Sequence, residues 1–355
     1  MSRRVAFVAD SDAWGGAEVY LTHLLRRAGE HGWTASLVAA EPVAARFRGM
    51  PGRRATVPLA RHAQRAPAVR AALADQRPDV VVVNLVDPGS NAAAVAAALE
   101  VAPAVGVLHL VGDTGTGARR SGLAALYQRL SAVLSPSAEG RDQVVAELGV
   151  PASRVRVIPN GVDVPEVPRG PAGLGVPRVG ALGRLTAQKG FDVLIGAVRG
   201  LASGGIALEV VIGGAGRDEA ALRAVAAGLP VEFRGFVGDV RGFLAGLDVF
   251  CLSSRREALP LVLLEAMAEG LPCVATDVGN VAVAVGGDAV VVPPGDPAAL
   301  AAALTGLVTD PARRADLGAR ARRRAVAGMD AGLMARRTFA VLEQVRAEAA
   351  CPAPC

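Results

Sequence analysis

Lysine is all but missing from this chain. Of its 38 basic side chains only Lys189 is a lysine, and every other one is arginine. Aromatic residues make up 3% of the sequence, few for the stacking surfaces of a nucleic-acid reader, so partners of that kind are disfavoured and none is expected. The four cysteines offer no metal site. Cys251 and Cys273 lie within apolar runs and read as buried thiols, while Cys351 and Cys355 flank a proline-containing tail with no further ligand near them. Long hydrophobic runs are missing as well. The longest, 92–108, is broken by Glu100 and Pro103, short of the roughly 20 apolar residues a membrane helix needs. Met1-Ser2-Arg3-Arg4 leads directly into a strand-like run instead of a signal peptide's apolar region, so the chain is expected in the cytoplasm.

What the sequence does have is apolar bulk, 52% of 355 residues, rich in alanine and valine. That length exceeds a usual single domain and suggests two, of roughly 170 residues each. Short, nearly continuous apolar runs at 3–10, 34–40, 79–84, 104–110, 132–137 and 155–161 alternate with helix-length segments such as 17–31, 89–99 and 137–148. Such runs suit parallel strands covered on both faces, so residues 1–165 are expected to form a doubly wound, Rossmann-like α/β domain. Residues 166–178, crowded with proline and glycine, read as a linker. The alternation restarts at 179–185, 207–216, 231–237, 248–254, 272–278 and 289–294, which predicts a second Rossmann-like domain over 179–330. Helical sequence rich in Arg and Ala fills 297–350, with 331–355 set apart as a C-terminal helix and tail. Open α/β sheets bind ligands beyond the carboxyl ends of their strands, so two such domains would take a ligand in the cleft between them.

The lone lysine stands in RLTAQKG (184–190), just after the first strand of the second half. Arg184 offers a planar fork of donors, Lys189 a compact charge, and Gly190 opens a helix whose N-terminus favours anions. Together they suit a diphosphate. A solvated loop and a Schiff-base lysine for pyridoxal are the competing readings. REALPLVLLEAMAEGLPCVATDVGN (256–280) is the most specific stretch. Glu257 ends a loop, Pro260 suits a first helical turn, and Glu265 falls about two turns further on, so both carboxylates can meet one ligand. Carboxylates can accept from adjacent hydroxyls of a sugar or ribose, and the backbone N–H groups of Ala258, Leu259 and Leu261 would be open donors at the helix start.

In SDAWGGAEVYLTHLL (11–25), Gly15 and Gly16 let a phosphate or sugar approach the backbone where a helix begins. Neither GGAE nor GGAGRDEAAL (213–222) is the dinucleotide fingerprint G-x-G-x-x-G. Asp10-Ser11-Asp12 spells D-x-D with no other ligand cluster beside it, so no metal is expected, and Asp12 becomes a candidate for acceptor contact. His109 ends a strand-like run and reads either as a structural histidine or as a site residue.

RLTAQKG, the 256–280 stretch and GGAE together resemble family 4 of the retaining glycosyltransferases, over nearly the whole chain and most densely at 178–296. The resemblance implies the GT-B fold, two Rossmann-like doubly wound domains facing a central cleft, with the acceptor on 1–165 and the donor on 179–330. It implies that Glu257 and Glu265, the E-x7-E pair, contact the donor sugar and the ribose, and that Arg184 and Lys189, the R-x4-K pair, hold the diphosphate. It also brings the Gly15-Gly16 loop to the donor, points His109 towards the donor sugar, and closes the first domain with PNGVD (159–163). Asp113, soon after His109, is a second acceptor candidate. Ala258 stands where the family commonly has glycine.

The activity so implied is transfer of a hexose from a nucleoside diphosphate sugar, UDP being the commonest, to a hydroxyl of a small natural product or a cell-envelope glycan or lipid. It would proceed with retention, form an α-linkage and need neither metal nor other cofactor. A non-hydrolysing nucleotide-sugar epimerase, a glycan phosphorylase and a non-enzymatic nucleotide-sugar-binding subunit are the alternatives on this plan. The net charge of +5 is uneven: Arg46, Arg48, Arg53, Arg54, Arg61, Arg65, Arg70 and Arg77 face Asp75 alone within 46–77. That stretch is either a weak contact for an anionic membrane surface or phosphate-bearing partner, or a solvated face.

Overall fold

The computed structural model describes residues 3–58, 65–173 and 175–351, and the chain divides into two compact units, Met1–Asn160 with Ala331–Cys355, and Gly161–Asp330. The first unit holds β1 (Arg3–Ala9), β2 (Trp33–Ala40), β3 (Arg53–Val57), β4 (Val80–Leu85), β5 (Ala104–Leu108), β6 (Ala132–Ser135) and β7 (Val155–Val157). They pair in parallel in the order β3-β2-β1-β4-β5-β6-β7, so the order reverses between β1 and β4. Every residue of β4 is buried, as its unbroken apolar run requires of a central strand covered on both faces. The sequence reading missed β3. It is the edge strand, and of Arg53-Arg54-Ala55-Thr56-Val57 only Val57 is buried, so no apolar run marks it.

The second unit repeats the plan with β8 (Arg178–Leu182), β9 (Glu209–Gly213), β10 (Val231–Gly235), β11 (Val249–Leu252), β12 (Cys273–Thr276) and β13 (Val290–Val292). Their parallel order is β10-β9-β8-β11-β12-β13, reversing between β8 and β11. Each unit has its own apolar core, around Val81, Val83 and Leu108 in the first and around Ile195, Val249 and Leu304 in the second.

The stretch 166–178, expected as a linker, is held within the second unit. Gly170 N donates to Glu269 O (2.9 Å), Ala172 N to Leu247 O (2.9 Å) and Gly173 N to Asp248 Oδ1 (2.6 Å). Proline and glycine deny it helix and sheet, yet backbone groups laid against a folded surface still need partners. Residues 297–350 form three helices, Pro297–Val308, Pro311–Gly328 and Ala331–Ala350. The last belongs to the first unit rather than standing apart as a tail. Its buried side chains Met334, Ala335, Thr338, Phe339, Leu342 and Val345 recur at helical spacing. They reach the helix Gly16–Arg27, where Tyr20 Oη lies 3.3 Å from Thr338 Oγ1, and Phe339 stacks on His31 at 4.9 Å.

Pro311–Gly328 puts arginine to structural use. Arg314 donates to Leu307 O (2.7 Å) and Val308 O (3.0 Å) at the end of one helix, and Arg322 to Ala268 O (2.6 Å) at the end of Leu261–Ala268. These are carbonyls a helix leaves unpaired, and a cation there also meets the favourable end of the dipole. Among the described residues, no helix is long and apolar enough to cross a membrane.

Candidate active site

In open α/β sheets ligands bind beyond the carboxyl ends of the two strands where the order reverses. In the second unit those strands are β8 and β11, and they carry the charged motifs. After β8 come Gly183, the exposed Arg184, a tight turn Ala187–Lys189 and Gly190. After β11 the chain runs through 253–260 into the helix Leu261–Ala268. The two loops are laced together: Arg255 N donates to Gln188 O (2.8 Å), Gln188 Nε2 to Arg256 O (2.9 Å), and Ser253 Oγ to Lys189 O (3.0 Å). Arg255 also grips both Asp192 oxygens, at 2.7 and 2.6 Å, and this pairing holds the Asp192 carboxyl below its usual range.

Lys189 and Glu257 meet directly. The ammonium lies 2.5 Å from Glu257 Oε1, and Ser254 Oγ donates to the same oxygen at 2.7 Å. Glu257 is only 6% exposed, so this pairing is what makes a buried carboxylate tolerable. Glycine at 183 leaves room for the lysine stem, because a Cβ there would stand 3.3 Å from Lys189 Cδ and Cε. Both donors fall on Oε1. Oε2 accepts from no described residue, and two of the three ammonium hydrogens remain for a ligand. Sequence reasoning did not anticipate the Lys189–Glu257 pair, and it missed Ser254.

Glu265 is placed differently from expectation. The helix begins only at Leu261, with Pro260 extended at ψ 125°, so Glu257 and Glu265 are separated by a loop and about one turn instead of two helical turns. Proline pushes the residue before it away from helical angles, which stops the helix from starting earlier. Half-buried, Glu265 has its carboxyl pushed up to about 7 by lost hydration, with the charge of Asp163 adding to the effect. Leu261 opens the helix, and Pro260 has no side-chain donor or acceptor to cap its first amides. Ala258 and Leu259 are buried, and Ala258 O accepts from Asn280 N at 2.7 Å. GGAG (213–216) is explained by packing: at Gly214, with φ +128°, a Cβ would meet Gly183 O at 1.8 Å.

In the first unit, Gly15 and Gly16 lie beyond β1 at the other reversal, Gly15 preceding the helix Gly16–Arg27. The buried Glu18 carboxylate fixes this loop, accepting from Gly15 N (2.8 Å) and from Ser11 Oγ (2.5 Å). The sequence reading quoted Glu18 within GGAE without giving it a role; an acid three residues past a helix start was the available signal. His109, just past β5, lies 2.6 Å through Nε2 from Asn84 Oδ1, with its ring edge-on to Tyr20 at 5.1 Å. Burial holds its pKa down to about 3, so the ring is neutral near pH 7 and can exchange hydrogen bonds but supplies no charge. Asp12 is exposed while Asp10 is buried, and among the described residues no group of three His, Cys, Asp or Glu side chains is poised to hold a metal. Asp113 caps its own loop, accepting from Gly115 N (2.7 Å) and pairing with Arg119 (3.3 Å).

Residues 14–166 match the family described as Glycosyltransferase Family 4, and residues 176–310 match the one described as Glycosyl transferases group 1. The two matches lie one after the other over most of the chain, and both are to glycosyltransferase families. The chain is 34% identical over 134 residues to a GDP-mannose-dependent alpha-(1-6)-phosphatidylinositol dimannoside mannosyltransferase of Mycobacterium tuberculosis. That match takes in 37% of this chain and only about a third of the relative, 35%. A D-inositol 3-phosphate glycosyltransferase of Xylanimonas cellulosilytica is 33% identical over 216 residues, 54% of this chain and 52% of that one. Among solved structures, Anabaena HepE in complex with UDP-glucose is similar with a TM-score of 0.79 at 21% identity, across 96% of this chain and 99% of the other. At that identity the likeness establishes the fold, and the fold is GT-B: two parallel-sheet, Rossmann-like units.

Proposed function

We propose that this protein transfers a hexose from a nucleoside diphosphate sugar to an acceptor hydroxyl with retention, forming an α-glycosidic bond. The observation that carries the reading is the set of charges beyond β8 and β11: exposed Arg184, and Lys189 bonded to a buried Glu257 whose second oxygen is open. Arg184 and Lys189 take the diphosphate, Glu257 the sugar hydroxyls and Glu265 the ribose. The GDP-mannose dependence of the mycobacterial relative and the UDP-glucose held by HepE support a donor of this class. In the reaction the bond from the anomeric carbon to the diphosphate oxygen breaks, and its electron pair leaves with the diphosphate. The acceptor oxygen bonds to the same face of that carbon, and its proton passes to the departing diphosphate. Arg184 and Lys189 stabilise the charge that grows there, where a positioned donor has most effect. The first unit provides the acceptor side, with Asp12 and Asp113 as contacts.

Thermal-shift measurement against UDP-, GDP- and dTDP-hexoses, followed by NMR of the product's anomeric linkage, tests the proposal. No stabilisation by any of them sinks it, and interconversion of donor without acceptor turns it into an epimerase. Because cations of the chain hold the phosphates, activity is expected to survive EDTA. Complete loss, restored by Mn²⁺, would move the diphosphate to a metal held by Asp10 and Asp12.

Donor binding is also expected to depend on pH. Hydroxyls donating to Glu265 favour its charged form, so a carboxyl that starts near about 7 gives up a proton when the ribose binds. Affinity should therefore rise as pH climbs through that value and level off above it. Glu265→Gln should flatten the slope in calorimetric titrations with UDP and GDP, and an unchanged slope would take Glu265 away from the ribose.

A further inference from the structure

The basic stretch 46–77 is not uniform. Arg53 pairs with Asp75 at 2.9 Å and Arg70 with Glu100 at 2.7 Å. Arg54, though exposed, folds back onto the chain, donating to Phe47 O (3.1 Å) and Met50 O (2.8 Å). Arg61 lies outside the described residues, as does the side chain of Arg65. Arg54 is thus a strut that closes the short turn Ala45–Phe47 after β2. What the turn presents is Arg46, exposed, with its guanidinium carbon 6.0 Å from the centre of the Trp14 ring. The fully buried Phe47 meets the same indole edge-on, ring centres 5.0 Å apart.

Trp14 directly precedes Gly15 in the loop beyond β1. The chain has two tryptophans. Trp33 is buried in the core, whereas Trp14 is half-buried where a ligand of the first sheet would lie. Buried Phe47 and a strut arginine therefore hold a guanidinium over one face of an indole at the loop. An indole face suits the C–H face of a sugar or polyol ring, and a guanidinium fork suits the oxygens of a phosphate.

We propose that Trp14 and Arg46 form the acceptor subsite of the first unit and that the acceptor is a sugar or polyol carrying a phosphate group. This rests on the transferase reading above and adds the class of acceptor to it. An anionic membrane is the weaker occupant. Surface recognition of that kind draws on clusters of about 4–8 basic residues, and here Arg53 and Arg70 are already paired with carboxylates of their own while Arg54 donates to two backbone carbonyls.

Trp14 can report on its own neighbourhood. In a Trp33→Phe chain it is the sole indole, and its emission can be followed while glucose 6-phosphate or glucose is added. The expected result is a saturable change with glucose 6-phosphate and none with glucose, weakened about tenfold or more by Arg46→Gln and unaffected by Arg184→Gln. If Trp33→Phe does not fold, calorimetry on the intact chain and on Arg46→Gln makes the same comparison. Equal responses to the two sugars, or no effect of Arg46→Gln, overturn the proposal. So does a response to phosphatidylserine vesicles without one to glucose 6-phosphate, which would make the surface a membrane contact. Should neither UDP nor GDP bind while the Trp14 response holds, the transferase reading fails and the phosphate subsite stands.

Discussion

Lys189→Ala should lower kcat by about 10²–10³, the cost of removing one positioned donor from a developing oxyanion. Two effects act together. The diphosphate loses a point charge, and Glu257, 6% exposed, keeps only Ser254 as a side-chain donor among the described residues. Breaking one side of a buried pair costs about 3–5 kcal/mol, so the variant should lose stability as well as rate. Lys189→Arg keeps the charge but brings a broad planar head to a place shaped by Ser254 and the Gly183 backbone, so its rescue should be partial. Steady-state rates at saturating donor, with calorimetric donor affinities beside them, separate the two effects. Near-normal turnover in the alanine variant would leave 184–190 as no more than a connecting loop.

Gly190→Ala should be strongly destabilising for the change of a single methyl group. Gly190 adopts φ +61°, and a Cβ there would stand 2.1 Å from Ser253 O. The left-handed conformation costs an L-residue roughly 1–2 kcal/mol, and overpacking against backbone adds about 1–3. A loss of about 2–5 kcal/mol is therefore expected, read as a lower urea midpoint. Donor affinity should fall as well, because Ser253 Oγ is bonded to Lys189 O and any shift of one strand of the lacing displaces the other. A variant as stable as the parent would show that the two loops can part without cost.

The sheets were legible because their central strands are unbroken apolar runs, and such runs have few alternatives to burial on both faces. β3 was not, since an edge strand written Arg-Arg-Ala-Thr-Val has little to bury. The charged motifs could be placed at strand ends from the alternation alone. What they touch could not, because Lys189 and Glu257 are brought together by a reversal of strand order that no linear spacing encodes. The same holds for the arginines of Pro311–Gly328. Their number suggests solvent or an anionic partner, whereas Arg314 and Arg322 end other helices, a role visible only once those helices are in place. Helical periodicity marked Ala331–Ala350 as a helix but carried no information about which unit it would complete.

That last helix sets an order of events during synthesis. Tyr20 has to wait for Thr338, and His31 for Phe339, so the first unit cannot close its core when its first 160 residues have emerged. The second unit, Gly161–Asp330, is continuous and can fold as soon as it is made. Contacts between residues more than 300 positions apart are slow to form, because so long a loop must close before they repay it. Until Ala331–Ala350 arrives, the apolar flank of Gly16–Arg27 stays uncovered, and such an exposed surface is where misassembly begins. The nascent chain is thus most vulnerable around Gly16–Arg27, and the arrival of Ala331–Ala350 ends that exposure.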